Sequence, residues 1–553
     1  MQRQRGQGDG GHRRALVRLL AVIALAVVAF TAATACSTSP SAAPSRSPST
    51  PPAGAVPPVA GRSPGQASWV ARENQQPGTP GWQIAGTPPG VMDGFADRTY
   101  AAAGQNVTLA VSTDAASFEV EAYRMGFYQG VGARLVWRST SVAGRRQPAC
   151  PLTPGVNMVS CPTWSPSLSV PVTAAFPPGD YLFKLVGAGG RASYVPLTVW
   201  DPTSHAAILI KNDVLTWQAW NFYGGFDFYT GQGRCPPGVY PLCSRARVVS
   251  FDRPYAFTDN NGQGTGDFLT LEYPLVRWAE QQGLDLAYST DLTVAEHPTS
   301  LIAHRAVLSL GHDECWSLAE RDAAVAAHAD GVNLAFFGAS ALLRHVRLQP
   351  SPLGPDHQEV DYRDSAADPL NGHGDPREVT GNTWASPPAS WPEDGFVGSS
   401  YNGFLAPGIT AALQVDDPDS WIYAGTGLRG GQTVPGVIGS DVDSLAPQSG
   451  YPPDVEVLAH STLPAHGAQP NTRTGASFTS DMTYYTDPHG SAGVWDSGTN
   501  NWIPSLLPCP PTTPCPEPTT ATITANLLAV LGAGPAGATH PSTPNATRIY
   551  PPR

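Results

Sequence analysis

Near residue 205 the hydrophobic rhythm of this 553-residue chain changes period, and that change limits its fold more than any other feature. Before it, short runs alternate apolar and polar residues, as in Val107-Thr-Leu-Ala-Val111, Phe118-Glu-Val-Glu-Ala-Tyr123 and Tyr181-Leu-Phe-Lys-Leu185, with Gly/Pro turns between them. Period-two alternation without a helical stripe predicts half-buried strands, and residues 67–203 read as a β-sandwich of immunoglobulin-like size. After it, buried-strand runs alternate with helical stripes. Ala207-Ile-Leu-Ile210, residues 284–288, Ala306-Val-Leu-Ser-Leu310 and Val332-Asn-Leu-Ala-Phe-Phe337 are strands, while residues 268–282 and 318–329 are helices stopped at Gly283 and Asp330-Gly331. Residues 204–533 therefore read as an α/β domain with a mainly parallel sheet covered on both faces. Within it, residues 350–500 carry loops and scattered strands, including Thr483-Tyr-Tyr485 and Ala492-Gly-Val-Trp495, and residues 521–531 form a last helix.

The ends of the chain lack this patterning. Arg3, Arg5, Arg13, Arg14 and Arg18 precede an apolar run over residues 19–30, the charged and hydrophobic parts of a signal peptide spanning residues 1–35. That run is short for a membrane span. Ala33-Thr34-Ala35-Cys36 resembles a lipobox, in which Cys36 takes a lipid; plain cleavage without a lipid is the alternative. Residues 36–66 are a Ser/Pro/Ala/Thr spacer that cannot bury a core, and residues 534–553, rich in Pro and Thr, are expected to be disordered. The expected location is the outer face of the cell membrane.

Removing residues 1–35 deletes five arginines and Asp9, a net +4, which takes the formal charge from −12 to −16. So acidic a surface argues against nucleic acid as a partner. Membrane lipid through Cys36 and a small-molecule or cell-wall ligand are the expected partners. Of eight cysteines, Cys150/Cys161, Cys235/Cys243 and Cys509/Cys515 are close pairs in loop-like stretches, read as local disulfides outside the cytoplasm. Cys315 is left over, either as a buried inert thiol or as a nucleophile.

Two clusters could carry chemistry. Gly311-His-Asp-Glu-Cys-Trp316 directly follows a strand, at the sheet edge where open α/β folds place ligands. The plain alternative is that Asp313, Glu314 and Ser317 cap the next helix. The second cluster, Thr216-Trp-Gln-Ala-Trp-Asn-Phe-Tyr-Gly-Gly-Phe-Asp-Phe-Tyr229, is dense in aromatics for a loop. Its phenols are oxygen donors suited to Fe(III), or its rings stack on a carbohydrate or peptide, or they simply pack. Residues 123–134 offer a further ligand surface or ordinary strand and turn residues. Asp441-Val-Asp443 has Ca²⁺-like spacing or is a solvated loop, and His345, His460, His466 and His489 are dispersed.

Trp217-Gln-Ala-Trp-Asn221, Ser250-Phe-Asp-Arg-Pro-Tyr255, Glu272-Tyr-Pro-Leu275, Gly311-His-Asp-Glu314 and Met482-Thr-Tyr-Tyr485 together resemble the large (beta) subunit-like domain of N,N-dimethylformamidase, here in a secreted lipoprotein of actinobacterial type. The resemblance extends over residues 67–533. It implies a β-sandwich followed by an α/β domain with a glutamine-amidotransferase-like (flavodoxin-like) core. It also implies hydrolysis of an amide C–N bond at a mononuclear iron held by two tyrosines and a glutamate. By position, Glu314 is the carboxylate ligand and His312 the nearby histidine, the two catalytic candidates; Tyr229 is one phenolate. The other falls at Trp220, so either Tyr223 replaces it or the iron is absent. Trp217, Trp220 and Asn221 are the expected substrate contacts. A non-catalytic ligand-binding lipoprotein that keeps the fold is the alternative function.

Overall fold

A computed structural model of the chain describes residues 68–84, 91–233, 241–256, 264–445, 450–464, 468–470, 478–509 and 515–551. The signal and spacer segments with Cys36, and Cys235 and His466, lie outside the described residues. What is described is a mixed, strand-rich structure of several sheets and a few helices.

In the N-terminal half, strand Asn106–Thr113 pairs antiparallel with Met92–Ala96 and Leu168–Pro171. A second sheet runs in the order Tyr100–Ala102, Arg191–Trp200, Gly179–Gly187, Ser117–Met125, Ala133–Arg138. Alternate residues of the two sheets meet in one apolar cluster, with Val107, Leu109 and Val111 from the first and Val120, Phe183 and Leu185 from the second. Every second residue faces inward, which is the two-residue period seen in the sequence. Tyr123, Arg124, Met125 and Tyr128 are buried, so most of the stretch 123–134 is packing, and Gln129, Gly130 and Val131 at its turn are exposed.

The second half is organised by a seven-stranded sheet in the order Leu286–Thr290, Ile208–Asn212, Ala306–Gly311, Asn333–Gly338, Gly493–Asp496, Thr479–Thr486, Glu456–Thr462. The first five strands are mutually parallel, and Thr479–Thr486 runs antiparallel to both of its neighbours, Gly493–Asp496 and Glu456–Thr462. Ile208, Ile210, Leu308 and Phe337 pack on one face with helices Tyr273–Gln281 and Glu517–Leu531. Leu209, Val307, Leu334 and Phe336 pack on the other with helix Leu318–Ala329. The single helix expected over residues 268–282 is divided: Phe268–Glu272 is a π-helical turn, and the α-helix starts at Tyr273 with Pro274 in its first turn. Proline has no N–H for an interior helical bond but fits the first turn.

The two halves belong to one compact unit. Arg124 of the N-terminal half meets Glu280 of helix Tyr273–Gln281 through two contacts, 2.5 and 3.0 Å, with both side chains fully buried. Tyr288 and Asn74 donate to the same carboxylate at 2.5 and 2.9 Å, and the Pro178 carbonyl accepts from the guanidinium. A buried ion pair is tolerated only when its remaining hydrogen-bonding capacity is filled, as here.

Residues 535–551, within the segment expected to be disordered, are ordered. Ala536 and Ala546 are buried, the Asn545 side chain bonds both backbone groups of Val457, and the Tyr550 hydroxyl donates to Asp481 at 2.7 Å. Its Pro/Thr composition forms no core of its own, but side-chain anchors tie it along the edge strand Glu456–Thr462. Cys150–Cys161 and Cys509–Cys515 are disulfides, and Cys243 is disulfide-bonded.

Glu280→Gln leaves Arg124 buried without its countercharge, and we expect a loss of about 3–5 kcal/mol in unfolding free energy by urea titration.

Candidate functional site

Strand Ala306–Gly311 delivers His312, Asp313 and Glu314 to the carboxyl edge of the large sheet. Gly311 turns the chain there with φ +54°, and an added Cβ would meet the Leu271 carbonyl at 2.6 Å. Gly338, its partner on the next strand, lies so near that a side chain would run into the Gly311 carbonyl. Both positions need glycine for a close backbone approach.

The turn is held from beneath. Lys211 Nζ lies 2.5, 2.7 and 2.8 Å from carboxylate oxygens of Asp291, Asp313 and Glu320, and 4.5 Å from the centre of the Trp316 ring. Burial pushes the Lys211 ammonium down, but the three carboxylates outweigh it and hold the ammonium well above its ordinary range. Among the described residues these three carboxylates form the one metal-like acidic group, and the lysine ammonium already lies among them. The Thr216 hydroxyl accepts from the backbone N–H of both Glu314 and Cys315 at 3.1 Å. Ser317 caps helix Leu318–Ala329 in a capping box with Glu320, so Asp313 and Glu314 are released from the capping role the sequence also allowed.

Glu314 is buried and ringed by donors. The Tyr229 hydroxyl donates to its Oε2 in a short hydrogen bond, Trp220 Nε1 donates to the same oxygen at 3.3 Å, and Arg344 Nε donates to Oε1 at 3.1 Å. Trp220 stacks on Tyr229 with ring centroids 3.6 Å apart, and the Arg363 guanidinium carbon lies 4.1 Å from the centre of the Tyr229 ring. Burial raises the Glu314 carboxyl, yet the charges of Arg344, His312 and Arg363 and the Tyr229 bond bring it below its ordinary range.

His312 Nε2 lies between two carboxylates, 3.5 Å from Glu314 Oε2 and 3.4 Å from Asp441 Oδ2. At these distances the contacts are ion pairs rather than well-formed hydrogen bonds. Burial lowers the imidazole, but its contact with Asp441 and the charge of Glu314 hold it up at about 10. Asp441 also accepts from the Ser340 hydroxyl at 2.7 Å, and it is the more exposed of the two carboxylates, at 20% against 4%.

Several expectations are corrected here. The Tyr223 hydroxyl donates to Asp93 at 3.3 Å and its ring packs with Phe95 and Trp164, so it does not take the missing phenolate's place. Trp217 and Asn221 are buried supports rather than substrate contacts. The indole N–H of Trp217 is shared between Asp213 and Glu272, and the Asn221 amide bonds Gln218, the Pro254 carbonyl and the Ala256 N–H. Cys315 is fully buried, and burial followed by the charge of Glu359 pushes its thiol well above the ordinary range, which suits an inert thiol. Asp441 and Asp443 lie on a strand, not in a solvated loop. His345 is buried against Trp384, His460 pairs with Asp481, and His489 is exposed on a turn, so these histidines stay apart from the site.

An iron held by two phenolates and a carboxylate needs three anionic oxygens converging on one point. The residues at the three positions that the family resemblance assigns do not supply it. Tyr229 and Glu314 meet, but the third position is an indole, which has a hydrogen to give and no lone pair to offer. That hydrogen points at the very carboxylate that would bind the metal.

Arg344, Arg363 and Lys211 were missed in the sequence, and Thr216 entered only as the first residue of the aromatic cluster. Only Lys211 left a signal: it is one of two lysines in the chain and directly follows the apolar strand run 207–210. Because the folded His312 value lies above the ordinary 6.5, its contribution to stability is complete below about pH 6.5 and fades as pH rises through about 10. Urea midpoints of the wild type should fall across that window, and His312→Gln should flatten the fall.

No curated protein matches this sequence. Residues 119–515, well over half the chain and containing every residue of the Glu314 cluster, match the profile described as N,N-dimethylformamidase beta subunit-like, C-terminal. On that match the chain belongs to the N,N-dimethylformamidase beta subunit-like family.

Proposed function

We propose that the protein is an exported, lipid-anchored hydrolase that cleaves the C–N bond of a linear amide at the His312–Glu314–Asp441 cluster, on a β-sandwich joined to an amidotransferase-like core. Family membership supports the amide chemistry. The observation that carries the site is the imidazole held protonated between two carboxylates at the edge of the sheet. Asp441, the more exposed carboxylate, takes a proton from water as its oxygen attacks the amide carbon. The Arg344 guanidinium and the imidazolium stabilise the oxyanion that forms. His312 gives its Nε2 proton to the departing nitrogen as the C–N bond breaks, and Asp441 returns its proton to His312 across their 3.4 Å contact. An acid and an amine leave. Basic residues over residues 1–18 and the Ala33-Thr-Ala-Cys36 sequence support export and lipidation.

A second reading is favoured by one observation. Trp220 donates to Glu314 and covers Tyr229, an arrangement that also suits a surface protein that binds a ligand without cleaving it.

Amine release from a panel of N-alkyl and N,N-dialkyl amides by the full chain separates the two. Turnover that His312→Gln and Asp441→Asn each cut by about 10²-fold or more supports hydrolysis. Absence of turnover across the panel, with a Trp220-dependent fluorescence response to the same amides, supports binding alone. In cell fractionation, Cys36→Ser is expected to move the protein from membrane to medium; retention of that variant in the membrane would argue against the lipid anchor.

A further inference from the structure

We infer that the cleft between the N-terminal sheets and the strand-helix half is a second binding site, for a short neutral oligosaccharide. It comprises a cavity of about 560 Å³ that shares Trp200, Pro202 and His297 with a neighbouring one of about 260 Å³. Both shared rings therefore border both spaces. Small-molecule sites fall in a range of roughly 300–1,000 Å³ and favour junctions between packed units.

The lining combines aromatic faces with planar polar groups. Trp200 stacks on His297 with centroids 4.9 Å apart, and Tyr100 stands edge-on to Trp200 at 5.8 Å. The Tyr100 hydroxyl donates to Glu296 Oε2 at 2.5 Å, which fixes the carboxylate and leaves it further acceptor capacity. Arg98, Gln105 and His357 add a guanidinium, an amide and an imidazole to the same wall. His357 is oriented: its Nδ1 lies 2.6 Å from buried Asp252, and its Nε2 is the nearest atom to the Cβ position of Gly354, which also lines the cavity. The half-buried Tyr100 and Trp200 rings offer a flat apolar surface for the C–H face of a sugar, and flat polar side chains can bond adjacent hydroxyls in pairs. Three carboxylates, Asp97, Asp201 and Glu296, line the two cavities with one guanidinium, Arg98, so the lining disfavours an anionic ligand. The cleft shares no residue with the Glu314 cluster.

Calorimetric titration of the full chain with cellotetraose, chitotetraose and maltotetraose tests this, with tetragalacturonate and tetralysine as charged comparators. At least one neutral tetrasaccharide should bind with Kd below about 1 mM, and Trp200→Ala should weaken it about tenfold or more. Should Trp200→Ala fail to fold, Arg98→Ala and Gln105→Ala carry the same expectation. Trp220→Ala, at the Glu314 cluster, should leave the affinity unchanged, whatever the outcome for amide hydrolysis. The proposal is overturned if no neutral sugar binds, if only a charged comparator binds, or if affinity survives in folded cleft variants.

Discussion

A single ammonium group holds the functional edge of this protein together. Lys211 is the penultimate residue of strand Ile208–Asn212, and the three carboxylates around it come from the first residue of helix Asp291–Glu296, the 312–314 turn and the first turn of helix Leu318–Ala329. Three carboxylates brought together out of water repel one another and lose hydration. Burial accordingly pushes Asp291 up to about 6 and Glu320 well above its ordinary range, with neighbouring acids adding to the rise. The lysine offsets that penalty while tying four chain segments to one point. The position of His312 and Glu314 is thus set by a group that takes no part in their chemistry.

On that frame, Glu314 is saturated by its own protein. The hydroxyl of Tyr229, the indole of Trp220 and the guanidinium of Arg344 all donate to it, and protonated His312 lies alongside. Charge-assisted bonds of this kind are the stronger ones, so an incoming cation would have to displace several of them. One side chain makes the difference. A phenol at position 220 would add an oxygen to the cluster, whereas the indole adds a hydrogen and closes it.

The sheets were legible because burial imposes its period on the sequence. Residues 208–210, 306–310 and 333–337 are buried strands because parallel strands covered on both faces are largely apolar, and the two-residue period of residues 107–111 marks a sheet with one inward face. The pairing of Glu314 with Tyr229 was legible only through the family resemblance. Side-chain direction in loops was not legible. Tyr223 and Tyr229 lie six residues apart in the same aromatic loop, yet one bonds Asp93 and the other Glu314, because the loop's path is set by Arg253 bonding the carbonyls of Tyr223, Phe226 and Asn221. Composition misled for residues 535–551, where buried alanines and an asparagine bonded to the edge-strand backbone replace an apolar face.

The central claim is that Trp220 and the donors around Glu314 leave no iron site at the Glu314–Tyr229 pair. Metal analysis together with a visible absorption spectrum of the purified full chain, loaded with ferric and ferrous salts and then desalted, tests it most directly. The expected result is iron far below one equivalent per chain and no tyrosinate-to-iron absorption band. One tightly held iron per chain with that band, lost on Glu314→Ala, would contradict it.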